Sequence, residues 1–266
     1  MDGLSHEMLA SVVSDIEAER ATHDTLRDYA RAWDRAQRVS AMHLIQLYTI
    51  PLSQFESHMQ SVEASFEDIR ACIKVLAEHV PPNEFYKWVD VWSWCMKHSV
   101  YAVAFTFYIE TGRIISKEMV INVLGLNALP SNQMRLTTEE YLHGLISVVN
   151  ELPRLSIHVV TLGDYDAPIR IASLVKQVHA AFQILNLKND LLRKRFDTLK
   201  YDVKRVEEVV YDIRLRGLGP TESPSGLAAY VSDADAERVY HRLASHPTLD
   251  LENQTHTTQT MGMSTN

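Results

Sequence analysis

The chain has 266 residues, of which 46% are hydrophobic and 23% charged, so it holds enough apolar material for one large core or two small ones. Its formal net charge of −8 excludes a global positive field, and any contact with nucleic acid must therefore rely on local basic patches. The two cysteines, Cys72 and Cys95, lack CxxC and zinc-ligand spacing, so they are predicted to be buried apolar residues in a reducing compartment.

The first half of the chain is predicted to be helical. Residues 5–50 contain no proline or glycine and are predicted to form one long helix that ends at Pro51. Residues 53–80 form a second helix by the same argument. Asn83 can cap a third helix, which continues to about Gly112.

Two further helices are predicted after a short one at 116–125. In LTTEEYL, Thr137 and Glu140 have the spacing of a capping box, which opens a helix that continues to about 162 and that Pro153 is expected to bend. After a turn the chain is predicted to be helical again until Gly217. No segment alternates with a period of two between turn signals, so the fold class is all-α.

The composition changes after Gly217. Residues 1–217 are predicted to be one helical domain, and residues 218–266, which are rich in polar and turn-forming residues, are predicted to be a disordered tail. Within this tail, Ser232 can cap a short helix at 233–245. The apolar run at 100–109 is too short to span a bilayer and the start lacks a signal-peptide pattern, so we expect a soluble intracellular protein with no membrane partner.

A heptad pattern marks the last predicted helix. Apolar residues recur in steps of four and three from Ile171 to Ile213, which is typical of helices that pack at a shallow angle. A polar residue, Asn189, interrupts the pattern, and it either fixes register or partner number, or marks a helix break. A heptad pattern this long suggests contacts between subunits. The predicted oligomerisation stripe consists of Leu192, Phe196, Leu199, Val203, Val206, Val210 and Ile213.

Basic residues occupy the other positions of this segment. Arg193, Lys194 and Arg195 are consecutive, so they fan around the helix instead of forming one stripe. One interpretation is a solvated face with pairs four residues apart, such as Asp190 with Lys194. The other is a set of phosphate contacts.

This segment and two earlier ones resemble a known family. FQILNLKNDLLRKRFDTLKYDVKRVEEVVYDIRLRG (182–217), NELPRLSIHVVTLGDYDAPIRI (150–171) and VAFTFYIETGRI (103–114) are similar to the translin family. The resemblance implies a bundle of six to seven long antiparallel helices that assembles into an octameric shell. It further implies a cytoplasmic and nuclear protein that binds single-stranded RNA and DNA, either by itself or with its paralogue, translin-associated factor X.

The same resemblance implies where catalysis resides. The mixed complex is a Mg²⁺-dependent endoribonuclease, which acts on small-RNA passenger strands or tRNA fragments, and the paralogue places two glutamates on one helix and one aspartate on a later turn. Here His98 and Tyr101 stand near the glutamate positions, and only Asp164 matches the aspartate. The resemblance therefore implies a chain that holds no metal itself, with Asp164 as a weak catalytic candidate. Alternatively, Asp164 caps the following helix.

Two segments of this chain correspond to the family's nucleic-acid contacts. The first, 56–64, keeps only His58, whereas the second, 87–98, keeps Lys87, Lys97 and His98. Three tryptophans lie among these basic residues in sequence: Trp88, Trp92 and Trp94. They either stack on the nucleobases of a single strand or belong to the core. The predicted nucleic-acid contacts are Lys87, Lys97, His98, Arg193, Lys194 and Arg195.

Three functions follow as hypotheses. The first is an oligomer-forming subunit that binds single-stranded nucleic acid within the endoribonuclease complex. The second is a purely structural oligomeriser that stabilises the paralogue without binding nucleic acid. The third is a homo-oligomeric Mg²⁺-dependent endoribonuclease that uses Asp164.

Overall fold

The computed structural model describes residues 2–188, 190–218 and 231–245, with side chains from residue 8 onward. All regular structure in these ranges is helical, which confirms the predicted all-α fold. The helices are α1 (Asp2–Gln46), α2 (Phe55–His79), α3 (Phe85–Trp88), α4 (Ser93–Thr111), α5 (Lys117–Val123), α6 (Thr138–Thr161), α7 (Ala167–Ile184), α8 (Leu191–Leu215) and α9 (Asp233–Ala244).

Helix α4 is the centre of the bundle. It packs against α1, α6 and α9, and almost every side chain from Val100 to Ile109 is buried. A helix that is covered on all sides needs apolar residues all around its axis, which accounts for the run at 100–109. Within the described residues no helix combines the length and apolar character needed to cross a membrane.

The third predicted helix is interrupted. Residues 85–111 form α3, a 3₁₀ turn at Val89–Val91 and then α4, and Gly112 ends α4 in the left-handed region at φ 67° as expected. The prediction that Asn83 caps this helix is wrong. Asn83 itself has φ 66°, whereas a capping residue normally has an extended backbone. Its side-chain oxygen instead accepts a hydrogen bond from Asn132 at 3.2 Å.

The capping signals in the second half of the chain are confirmed. Thr137 and Glu140 make the reciprocal bonds of a capping box at the start of α6, and Pro153 lies inside that helix. Ser232 accepts a hydrogen bond from the backbone of Asp235 and so begins α9. These signals involve residues only three positions apart, so local sequence is sufficient to specify them.

The last predicted helix is two helices. Helix α7 ends at Ile184 and α8 begins after Asp190, whose side chain accepts a hydrogen bond from the Arg193 amide at 3.2 Å. The prediction of a continuous helix to Gly217 is therefore wrong, and the helix bounds agree with the alternative of a break near Asn189. Asn189 lies outside the described residues, so its proposed role in register stays a prediction.

The predicted oligomerisation stripe packs within the chain. Helix α8 lies against α6 and α7. Five stripe residues are fully buried there, and two are partly buried against the same core: Leu192, Phe196, Leu199, Val206 and Ile213, then Val203 and Val210. The stripe is thus mostly covered within its own chain, and its role in contacts between subunits stays a prediction.

The predicted tail is described only in part. Residues 219–230 and 246–266 lie outside the described ranges. Between them, α9 packs against α4 and α5, with Ala236 and Leu243 buried. Helix α9 matches the predicted helix at 233–245, and the boundary at 217 stays a prediction.

Candidate nucleic-acid interface

Lys87 is held by helix α1. Its amine forms an ion pair with Glu19, lies 3.9 Å from Glu84 and stands 4.9 Å from the centre of the Trp88 ring. Trp88 and Trp92 are buried, so the core interpretation applies to both. Lys87 thus already has acidic partners that a phosphate would have to displace.

Trp94 presents an exposed aromatic surface at the start of α4. Its side chain is 65% exposed, and its ring centre lies 4.0 Å from that of His98. The Nδ1 of His98 donates to the Trp94 carbonyl at 2.9 Å, which fixes the imidazole one helical turn further on. Lys97 is partly exposed between them in sequence. An exposed indole beside an imidazole and an ammonium group can stack a base and neutralise a phosphate.

A buried polar cluster lies where α4, α6 and α8 meet. Arg195 of α8 donates to the His143 carbonyl at 3.1 Å and to the Ser147 hydroxyl at 2.8 Å, both on α6. The other Arg195 contact is with His143 Nδ1, at 3.2 Å. Because a guanidinium only donates, that nitrogen accepts, and the proton of the neutral imidazole is on Nε2.

The pKa values in this cluster are shifted by burial. Burial, together with the positive charges of Lys97 and Arg195, lowers the pKa of His143 to about 4. Burial raises the pKa of Glu140. Its hydrogen bonds with Thr137 and the positive charge of Lys97 act in the opposite direction. Lys97 therefore acts on both groups, so α4 and α8 supply positive charge to the same part of α6.

The three consecutive basic residues of α8 have different surroundings. Arg193 pairs with Asp197 at 3.2 Å, whereas Lys194 is exposed and Arg195 points towards α6. This matches the prediction that they fan around the helix. Of the six predicted nucleic-acid contacts, Lys97 and Arg195 both lie near His143, His98 lies beside Trp94, and Lys87 is placed against α1.

The sequence reasoning missed two groups. His143 and Ser147 hold Arg195, but an isolated histidine and serine carry no signal that separates this role from ordinary core positions. Arg135 lies 4.7 Å from the centre of the Tyr86 ring, and Tyr86 is 76% exposed. The aromatic residues in FYKW could have indicated this second pair of a cation and an exposed aromatic ring.

Asp164 is used as a helix cap. Its Oδ1 accepts hydrogen bonds from the amides of Asp166 and Ala167 at 3.1 and 2.9 Å, and its Oδ2 lies 3.5 Å from Arg170. Among the described residues, no group of three or more histidine, cysteine, aspartate or glutamate side chains is arranged to hold a metal ion. The residues present therefore do not fit the Mg²⁺ that the resemblance implies for the complex.

Replacing Arg195 with alanine is expected to lower the free energy of unfolding by about 1–3 kcal/mol, because buried hydrogen-bonding groups on α6 lose their donor. Lys194→Ala is the matched control and should change it by less than about 0.5 kcal/mol, because Lys194 is exposed. Urea denaturation of both variants measures the difference. Equal stability of the two variants would show that Arg195 is no more important to packing than a surface residue.

Comparison with known proteins adds the family. The Translin family profile matches residues 5–217. Translin of Gallus gallus is 31% identical over 219 residues, covering 79% of this chain and 93% of that one. Translin of Mus musculus is 39% identical over 152 residues, covering 57% and 67% of the two chains. Translin-associated protein X of Mus musculus is 24% identical over 203 residues, covering 69% of each chain.

Two solved structures share the fold. The structure of an AfC3PO–duplex RNA complex superposes with a TM-score of 0.57 at 16% identity and covers 80% of this chain and 99% of that chain. The crystal structure of apo-NeC3PO gives 0.56 at 16% identity, with 76% and 95% covered. With a profile match over most of the helical bundle and relatives of the same name above 30% identity, the chain belongs to the Translin family.

Proposed function

We propose that the chain is an oligomer-forming subunit that binds single-stranded RNA and DNA. The observation that carries this is the exposed Trp94 ring, which contacts the His98 ring at a tilted angle, next to Lys97 in sequence. Aromatic side chains stack on nucleobases whatever the sequence, and nearby ammonium groups neutralise phosphates. One solved relative in fold was determined as a complex with duplex RNA, which supports nucleic acid as the ligand class.

The proposed assembly is an octamer, either of this chain or with a paralogue like translin-associated factor X, in cytoplasm and nucleus. The sequence similarity to both branches of the family supports this assembly. In a mixed complex that processes small RNAs or tRNA fragments, the paralogue would supply the Mg²⁺ ligands. This chain would contribute the scaffold and RNA contacts, because Asp164 is engaged as a cap and, in the part of the chain that the structure describes, belongs to no cluster of three or more possible metal ligands.

A second candidate is a structural oligomeriser without nucleic-acid binding. The ion pairs of Lys87 with Glu19 and of Arg193 with Asp197 favour it, because paired cations are less available to phosphates. The homo-oligomeric endoribonuclease has less support, since Asp164 already accepts two backbone hydrogen bonds.

RNA binding by the full chain tests the proposal. Fluorescence anisotropy with a labelled single-stranded RNA should show affinity that falls steeply with salt, and Trp94→Ala should weaken binding by about 1–3 kcal/mol, or roughly 5- to 150-fold. Tyr211→Ala is the matched control, because Tyr211 is a similarly exposed aromatic residue (64%) on a different helix, near the C-terminal end of α8. Lys97→Ala should reduce the salt slope by about one.

The other outcomes separate the alternatives. Absence of RNA binding, with intact oligomers, would support the structural oligomeriser. Binding that Trp94→Ala and Tyr211→Ala weaken equally would remove Trp94 from the interface. Shortening of the labelled RNA with Mg²⁺, abolished by EDTA, would support the homo-oligomeric endoribonuclease.

A further inference from the structure

Helix α9 lies outside the matched family region and packs as an amphipathic helix. Ala236 and Leu243 are buried, and three more apolar side chains on the same face are partly buried against the core: Val239, Tyr240 and Ala244. Their spacing of three and four residues gives α9 one continuous apolar face. The surface that receives it is formed by α2, α4 and α5, and is here called the α9 groove.

One arginine forms the main polar contact in the α9 groove. Arg242 lies 2.9 Å from Glu63 of α2 through its Nε and also pairs with Glu110 of α4. These two carboxylates are only 18% and 11% exposed. Burial raises the pKa of Glu63, Arg242 opposes the shift, and the nearby charge of Glu110 adds to it. The groove thus holds two like charges in a poorly solvated place, and Arg242 supplies the positive charge between them.

Groove residues also contact both ends of the helix. At its start, Arg113 pairs with Asp233 and donates to the Val231 carbonyl at 2.8 Å. Near its end, Asn122 donates to the Tyr240 hydroxyl at 2.7 Å, and Arg70 lies 3.4 Å from the Leu243 carbonyl. The last carbonyls of a helix have no partner within the helix, so a donor at this position favours a bound helix end.

We propose that the α9 groove is a binding site for a short amphipathic helix with an arginine in its last turn, and that α9 fills it as a tethered, displaceable ligand. The acidic pair selects the arginine, and the donors at both ends select helical backbone. The buried apolar contact is small, with only two fully buried side chains, so the tether maintains occupancy by keeping α9 at high effective concentration. A free helix of the same pattern is therefore the partner that this surface fits.

A peptide competition on the full chain tests this proposal. A fluorescein-labelled peptide of residues 231–245 is titrated with wild-type chain and with Arg242→Ala. We expect the variant to bind the peptide at least roughly ten-fold more tightly, because its own helix no longer competes effectively. Arg238→Ala is the matched control, since Arg238 is 78% exposed on the same helix and pairs only locally with Asp235, and it should behave like wild type.

Further variants keep the result interpretable. Ala236→Asp detaches α9 while retaining the arginine, and should also expose the groove to the peptide. A peptide that carries Arg242→Ala should lose binding to both detached chains. Hydrogen exchange of α9 amides should rise in both chain variants while α6 to α8 stay protected. The proposal is overturned if neither variant binds the peptide, if all chains including Arg238→Ala bind it equally, or if α9 stays protected in Arg242→Ala.

Discussion

Gly144→Ala is expected to lower the free energy of unfolding by about 1–3 kcal/mol. A Cβ atom at this position of α6 would lie 2.4 Å from Val100 Cγ1, 2.7 Å from Val100 Cβ and 3.3 Å from the Tyr101 amide nitrogen of α4. Val100 is fully buried and branched at Cβ, so it cannot rotate away without a new clash. The two helices must therefore separate, and this cost exceeds the gain of up to about 1 kcal/mol from alanine's helix propensity.

A double-mutant cycle with Val100→Ala identifies the contact. Removing the Val100 methyl groups eliminates the 2.4 Å contact, so Gly144→Ala should cost less in that background than in the wild type. Urea denaturation of the four chains at one protein concentration gives both costs. Equal costs in the two backgrounds would show that the strain does not arise between Gly144 and Val100. An unchanged stability of Gly144→Ala would show that α4 and α6 are not in close contact here.

His143 is expected to make stability fall as the pH decreases from about 7 to about 4. In the folded chain its pKa is lowered to about 4, whereas an unfolded chain gives histidine its ordinary value near 6.5. Between these values the unfolded state binds a proton that the folded state does not, so protons favour unfolding. The shift corresponds to roughly 3 kcal/mol, fully present above the unfolded pKa and lost as the pH falls to the folded one.

The charges around His143 come from each helix that packs on it. Lys97 of α4 and Arg195 of α8 lower its pKa, Asp190 before α8 raises it, and Glu139 of α6 lies 3.7 Å from its Nε2. His143→Gln keeps a neutral acceptor for Arg195 and removes the titration. Urea denaturation across this pH range should show wild type losing more stability than His143→Gln, because the acidic groups titrate in both chains. Parallel curves would contradict a buried neutral His143.

Most signals within a few residues of each other were read correctly, with the Asn83 cap as an exception. The capping box of Thr137 and Glu140 and the Ser232 cap each depend on a local hydrogen bond, whereas α1 ends at Gln46, before the predicted stop at Pro51. The break between α7 and α8 was only one of the interpretations that Asn189 allowed, because the apolar residues keep their heptad spacing across it. A hydrophobic pattern reports which side chains face a core and is the same whether the backbone between them is continuous or broken.

The candidate site was less predictable from sequence. The segments 87–98 and 193–195 both carry basic residues, but their spacing does not show that Arg195 turns inward while Lys194 stays exposed. The same limit applies to Trp94, which is exposed beside two buried tryptophans in a segment of similar composition. Side-chain direction depends on which face of a helix its neighbours cover, and those neighbours are distant in sequence.

By itself, the sequence determined the helical fold class, most helix ends and the family resemblance. Hydrophobic periodicity, capping residues and short segments similar to the family can all be recognised from neighbouring residues. The tertiary structure alone decided that the heptad stripe is an internal surface, that Asp164 is a cap, and that α9 docks through Arg242 between Glu63 and Glu110. The physical reason is that burial and charge pairing depend on chain segments brought together only by folding. For Arg242, one partner lies 179 residues away in the chain (242 minus 63), a separation at which no local pattern records the contact.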